Sequence, residues 1–312
     1  MCKITIFTVT YNREHLLPRT INSVLAQTFS DFEYLIINNG STDGTQALIE
    51  KYCKEDTRIH AVSYSKNEVT ANAFQEKYQL IRELPAPYFT KIDDDDYMKP
   101  NTLETLYNLI TLHKADGACV GSMYEFPDGT KKNKFVFDGT YVYNRVEAMV
   151  EMLKREKFNA ALGGKLFRKE VLDIVYPNVE QLRDIHISYR RMNHVHRMVV
   201  NGDPLFYFYR HDSNVSGLNT PEQITPQKMR QHLEANAMRT EWLAENMPEI
   251  KDFVFYCELS FMISLYERIY RLDVQTCFDI ALEMKETLIK HSAFLSECNF
   301  CTEREKEILG SM

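Results

Sequence analysis

Two hydrophobic periods alternate along the first third of the chain. The runs KITIFTVT (Lys3 to Thr10), EYLIIN (Glu33 to Asn38), RIHAVSY (Arg58 to Tyr64) and PYFTKI (Pro87 to Ile92) are short, rich in β-branched and aromatic residues, and bounded by polar turns. They read as buried strands. Between them the apolar positions switch to helical spacing. Leu16, Leu17, Ile21, Val24 and Leu25 share one helix face, and ALIEKYC, TANAFQEKYQLIREL and NTLETLYNLITLHK continue the pattern. Strands alternating with helices predict right-handed βαβ units, so the fold class is α/β with a mainly parallel sheet flanked by helices.

The rest of the chain is less regular. GACVGSMYEF and KFVFDGTYVY read as two strands joined by the turn PDGT, followed by a helix over RVEAMVEMLKREKF. GGKLFRKEVLDIVY reads as a strand running into a helix, RDIHISYRRMNHV as a helix and PLFYFYR as a last strand. From Thr225 and Pro226, a favoured helix start, the pattern becomes long helices. The predicted organisation is a sheet domain over 1–220 and a helical C-terminal region over 221–312, with the boundary near Ser216 to Thr225.

Unusual polar residues gather at the carboxyl ends of the predicted strands. Thr10, Tyr11 and Asn12 close the first, Asn38, Asn39, Gly40 and Ser41 the second, and Asp93, Asp94, Asp95 and Asp96 the fourth. Open α/β sheets bind ligands outside these ends. Adjacent carboxylates on a tight turn suit a hard divalent cation, Mn2+ or Mg2+, which takes oxygen ligands and completes its shell with water and substrate phosphates.

Composition narrows the classes. A net charge of −7 argues against a nucleic-acid partner held by bulk electrostatics. No apolar run approaches the roughly 20 residues of a membrane span, and the opening MCKITIFTVTYN lacks the layout of a signal peptide. The expected station is cytoplasmic, with the inner membrane face as a peripheral alternative. Seven scattered cysteines read as reduced thiols.

The stretch FTVTYNREHLLPRTINSVLAQTFSDFEYLIINNGSTDGT followed by YFTKIDDDDYMKPNTLE resembles family 2 glycosyltransferases of the GT-A fold. Weaker likenesses follow in GGKLFRKEVL, LRDIHISYR and PLFYFYRHDSNVS. The resemblance implies transfer of a sugar, with inversion, from a nucleotide-diphosphate donor to a carbohydrate or lipid-linked acceptor. The donor side would lie in 1–115 and the acceptor side in 116–220. It implies that Tyr11 stacks on the nucleobase beside the backbone of Val9 and Thr10, with Asn12 and Arg13 in the same turn. Asn39 would face the polar edge of the base, and Asp93 and Asp94 the ribose and sugar. Asp95 would hold the metal, with His211 as a further metal or phosphate contact. Asp184 would be the general base. Such chemistry wants a cation against the leaving diphosphate and a carboxylate to take the acceptor proton, with no enzyme nucleophile.

The chain departs from the family pattern in three places. Asn38 and Asn39 stand where Asp is usual, which leaves UDP or dTDP as the favoured donors because an amide oxygen still accepts from a pyrimidine imide. Ala71 replaces an Arg that meets phosphate, while Asn72 is kept; Lys66 or Arg13 is the candidate substitute charge. Arg183 precedes Asp184 where the family has an acidic pair. Only the Asp of that pair is needed as a base, so the Asn38, Asn39 and Ala71 changes are the ones that motivate a competing reading, a nucleotide-sugar-binding or scaffolding protein with impaired catalysis. The apolar stripe from Phe253 to Tyr270 predicts packing of the C-terminal helices on the sheet domain, or self-association.

Overall fold

The computed structural model describes residues 2–312 apart from Val69, Asn178, Glu180, Gln181, 212–217 and Asn219. The chain divides into two compact units, one comprising Met1–Glu180 with Arg190–Asp212 and the other Gln181–Tyr189 with Ser213–Met312. The sheet unit therefore gives up the start of one helix to the helical unit.

The sheet unit begins with β1 (Ile4–Thr10), α1 (Leu17–Leu25), β2 (Phe32–Asn38), α2 (Thr45–Glu55), β3 (Ile59–Ser63), α3 (Ala71–Glu83) and β4 (Tyr88–Lys91). β1 lies between β2 and β4, parallel to both, and β3 extends the parallel order beyond β2. Covered on both faces, β1 is buried at six of its seven residues, which is why it reads as a continuous apolar run rather than an alternation. α1 seals one face. Its fully buried Leu17, Ile21 and Val24 fall at i, i+4 and i+7, and each buried aliphatic of this kind stabilises by about 1.5–3 kcal/mol. Pro18 opens the helix, where its missing N–H is harmless.

Then follow β5 (Tyr97–Met98), α4 (Thr102–Leu112), β6 (Gly117–Glu125), β7 (Lys131–Phe135), β8 (Thr140–Asn144), α5 (Arg145–Lys154), β9 (Lys165–Arg168), α6 (Arg183–Asn193) and β10 (Arg197–Tyr209). The strand order is β3-β2-β1-β4-β9-β6-β10-β5, with β7 on β6 and β8 on β10. β9 is antiparallel to both β4 and β6, so the sheet is parallel at one end and mixed at the other.

Three local expectations are corrected. KFVFDGTYVY is two strands, not one, broken before Gly139, whose φ of +89° turns the chain so that β8 pairs with β10. The helix expected after β9 is a single 3-10 turn, Lys169–Leu172. β10 starts at Arg197 rather than Pro204; Pro204 sits at an irregularity in the β6 pairing, where the strand tolerates its missing donor.

In the helical unit α7 (Pro226–Asn246), α8 (Lys251–Arg271), α9 (Phe278–Lys290), α10 (Ser292–Glu297) and α11 (Glu303–Gly310) follow in order. Met229, Leu265, Ile269, Cys277, Ile280 and Met284 form its core. The stripe on α8 is spent partly inside the unit, where Phe253, Leu265 and Ile269 are buried. Among the described residues no helix is long and apolar enough to cross a membrane.

Candidate active site at the carboxyl ends of the strands

The loop after β1 is stitched to the loop after β2. Asn12, at a left-handed φ of 52°, donates its backbone N–H to the Ser41 hydroxyl at 3.0 Å and accepts the Thr42 N–H at 2.8 Å through Oδ1. Arg13 N donates to Thr45 Oγ1 at 2.9 Å, and Glu14 Oε2 accepts the Gly44 N–H at 2.7 Å. Asn is among the few residues that adopt such a φ readily. Its side chain is therefore turn-building, while Tyr11 beside it is 38% exposed and presents an accessible ring. Val9 and Thr10 complete β1 beneath it.

The two asparagines after β2 do different things. Asn38 is buried; its Oδ1 accepts the Ser41 N–H at 3.0 Å and its Nδ2 donates to Gln46 Oε1 at 2.6 Å. It shapes the turn. Asn39 faces the loop after β3, donating to Asn67 Oδ1 at 2.6 Å and to the Glu68 carbonyl at 3.2 Å, and accepting the Glu68 N–H at 3.3 Å. Lys66 is exposed and paired with Glu68 at 3.0 Å. Asn72 is exposed in the first turn of α3. Near this loop a cation absent from the sequence reading appears: Lys77, buried on α3, donates to the Glu68 carbonyl at 2.9 Å and lies 5.0 Å from the Tyr64 ring centre.

The four aspartates after β4 point to four different neighbours. Asp93 pairs with Lys91 at 2.6 Å. Asp94 stands 3.6 Å from Arg13 Nε, and so belongs with the β1 loop. Burial pushes its carboxyl up to about 6, with Asp95 and Asp93 adding to the rise and the Thr10 hydroxyl and Arg13 opposing it. Asp95 Oδ2 lies 3.0 Å from His211 Nε2, both side chains being largely buried. Asp96 is buried and structural: its Oδ1 accepts the Tyr209 N–H at 3.0 Å and its carbonyl the Thr20 hydroxyl at 2.7 Å. Desolvation drives its pKa well above the ordinary carboxylate range, and Asp93 and Asp95 push the same way.

Asp184 is exposed in the first turn of α6 and belongs to the helical unit. The stretch beyond His211 at 212–217 lies outside the described residues, as does the start of the expected domain boundary. Arg19, Tyr97, Glu125 and Tyr209, which gather beside the acidic turn, were not singled out by the sequence reading. A signal was available for Arg19. It stands in the first turn of α1, where the helix dipole disfavours a cation, so an anionic or carbonyl partner elsewhere was called for.

Comparison with known proteins places the chain in a family. The family model described as glycosyl transferase family 2 matches residues 5–176. Over 216 residues the chain is 24% identical to glycosyltransferase GlyA of Streptococcus pneumoniae serotype 4, a match covering 67% of this chain but only 30% of GlyA. Over 232 residues it is 28% identical to WcaA of Escherichia coli (strain K12), named as a colanic acid biosynthesis glycosyl transferase, covering 66% of this chain and 80% of WcaA. The fold is similar to that of S. aureus TarS 1-349 in complex with UDP-GlcNAc, with a TM-score of 0.64 at 17% identity over 98% of this chain and 84% of TarS. The sheet, its flanking helices and the C-terminal helices are those of a GT-A fold with a helical extension, and the chain belongs to glycosyl transferase family 2.

Proposed function

We propose that the protein is an inverting glycosyltransferase that moves a sugar from a nucleotide-diphosphate donor, UDP-sugar favoured, to a carbohydrate or lipid-linked acceptor in surface polysaccharide synthesis. The observation that carries this reading is the convergence of three strand ends. Tyr11, Asn39 and the acidic turn lie on adjacent strands, and Asp94 reaches Arg13 at 3.6 Å. The bound UDP-GlcNAc of the TarS complex supports the donor class, and the colanic acid relative supports a role in polysaccharide synthesis.

Asn39 favours a pyrimidine. Both hydrogens of its amide are engaged and, among the described residues, its oxygen accepts once, from the Glu68 N–H; the second lone pair of Oδ1 suits the imide N–H of uracil or thymine. Tyr11 offers the stacking face.

The acidic turn suits a divalent ion. Asp95 Oδ2 and His211 Nε2 lie 3.0 Å apart, the spacing that adjacent ligands of an octahedral ion require at bonds of about 2.1 Å. Among the described residues no group of three or more His, Cys, Asp or Glu forms a complete cage, so Asp95 and His211 would share the ion with the diphosphate and water. Bound there, Mn2+ or Mg2+ would neutralise charge developing on the leaving diphosphate. Asp184 is the candidate base for the acceptor hydroxyl.

Calorimetry with UDP, dTDP, GDP and ADP in the presence of Mn2+, followed by transfer assays with matching nucleotide sugars, tests the reading. The expected outcome is tightest binding of a pyrimidine diphosphate, and an Asp95→Asn variant that folds but loses about 100-fold or more in transfer. Preferred binding of GDP, or full transfer in excess chelator, sinks the corresponding half. One feature favours impaired catalysis instead, namely Ala71 where the family pattern carries a phosphate-binding Arg. Tight UDP binding with no turnover of any UDP-sugar would select that alternative.

A further inference from the structure

Arg19 is held unusually well for a residue in the first turn of a helix. Its guanidinium carbon lies 4.6 Å from the centre of the Tyr97 ring and 4.2 Å from that of Tyr209, so the planar cation is flanked by two aromatic rings. Nη1 donates to Glu125 Oε1 at 3.1 Å, and Nη2 donates to the main-chain carbonyl of Asp95 at 3.0 Å. The partners are themselves fixed. Glu125 also accepts the Tyr97 hydroxyl and lies 3.4 Å from Lys131 Nζ, and Tyr97 stacks on Tyr207 with centres 4.6 Å apart.

The guanidinium thus touches both sides of the Asp95–His211 pair. On one side it holds the Asp95 carbonyl. On the other it holds the ring of Tyr209, two residues before His211 and 5.4 Å from the His211 ring. Two main-chain donors close the loop: the Tyr209 N–H donates to the Asp96 carboxylate at 3.0 Å, and the Arg210 N–H to the Glu125 carbonyl at 2.7 Å. A lysine cannot reproduce this, because a point charge lacks the planar fork that serves a carboxylate and a carbonyl at once while filling the space between two rings.

We propose that Arg19 is a positioning residue that sets the carboxylate of Asp95 and the imidazole of His211 at the spacing a diphosphate-bound divalent ion requires. This rests on the reading of Asp95 and His211 as ion ligands. Groups that orient ligands in this way weaken metal binding by about 10- to 100-fold when removed.

The test is a Mn2+ titration of the full chain in the presence of UDP, with free Mn2+ read by electron paramagnetic resonance. Arg19→Met should weaken Mn2+ binding about tenfold or more, and Arg19→Lys should not restore it. Uridine alone should bind both variants within about twofold of the parent, because the base pocket is built from other elements. In a His211→Ala background the same Arg19→Met change should add less than about twofold, since the pair it positions is already broken. Unchanged Mn2+ binding by Arg19→Met, or full multiplication of the two effects, overturns the proposal and leaves Arg19 a structural prop. If His211→Ala and Asp95→Asn themselves leave Mn2+ binding untouched, the ion-ligand reading fails instead. Should Arg19→Met not fold, Tyr209→Leu removes one flanking ring and keeps the main-chain bond to Asp96; unchanged Mn2+ binding in that variant also overturns the proposal.

Discussion

Gly40 ends the NNG turn after β2, and replacing it with alanine should damage donor binding more than any contact of its own could explain. Its φ is +76°, a conformation that costs an L-residue about 1 kcal/mol or more. The added Cβ would also meet main-chain atoms, lying 2.2 Å from the Lys66 carbonyl carbon and 2.6 Å from its Cα and oxygen. Ordinary contact begins near 3.4 Å, so the Lys66 backbone must retreat by about 1 Å. That backbone leads into Asn67 and Glu68, whose bonds fix the Asn39 amide. Strain, overpacking and the loosened hydrogen bonds together come to roughly 3 kcal/mol. For a unit of this size the melting temperature should fall by roughly 6–12 °C. The affinity for UDP should fall about tenfold or more, because the Asn39 amide proposed to face the base is no longer held. Gly129→Ala is the matched control: its φ is +80° with nothing within 4 Å of the added Cβ. It should show strain alone, about 1 kcal/mol, with UDP affinity unchanged. Thermal unfolding and calorimetry on both variants decide the matter. Gly40→Ala binding UDP like the parent, with a melting loss no larger than that of Gly129→Ala, refutes the reasoning.

Three further outcomes are expected. Burial pushes the Lys134 ammonium down to about 7, and the neighbouring Lys165, Arg210 and Arg155 push the same way against Asp96. The unfolded chain therefore takes up this proton at higher pH than the folded one, and stability is lost as pH falls from the ordinary lysine range toward 7. Lys134→Met should raise the melting temperature most at pH 7 and below and hardly at all near pH 10; an equal gain at both pH values contradicts this. Asp94, raised to about 6, behaves in the opposite sense: its charged form is the disfavoured one, so Asp94→Asn should stabilise the metal-free protein above pH 6 and not near pH 4, while weakening donor binding. Stability identical to the parent at pH 7.5 would count against it. Asp184→Asn should keep donor affinity and lower transfer to the true acceptor by about 100-fold, the weight of a general base; near-normal turnover assigns the residue to the helix start alone.

The sequence by itself determined where the strands and helices of the parallel half lie, because burial on both faces or on one helix stripe imposes a local period that each segment carries alone. It also determined that polar chemistry collects after β1, β2 and β4, since strand ends are marked by the residues that interrupt the apolar runs. It did not determine the division of labour within those clusters. Four consecutive aspartates look alike in sequence. Only the folded chain sends Asp93 to Lys91, Asp94 to Arg13, Asp95 to His211 across 116 residues and Asp96 beneath Tyr209. The same holds for Asn38 and Asn39, one closing its own turn and the other reading the loop after β3. Strand pairing was likewise out of reach where KFVFDGTYVY splits, because the partners of β7 and β8 are different strands. Periodicity is a property of neighbours along the chain. The partner of a turn side chain is chosen by sheet order and register, and these bring together residues that share no local pattern.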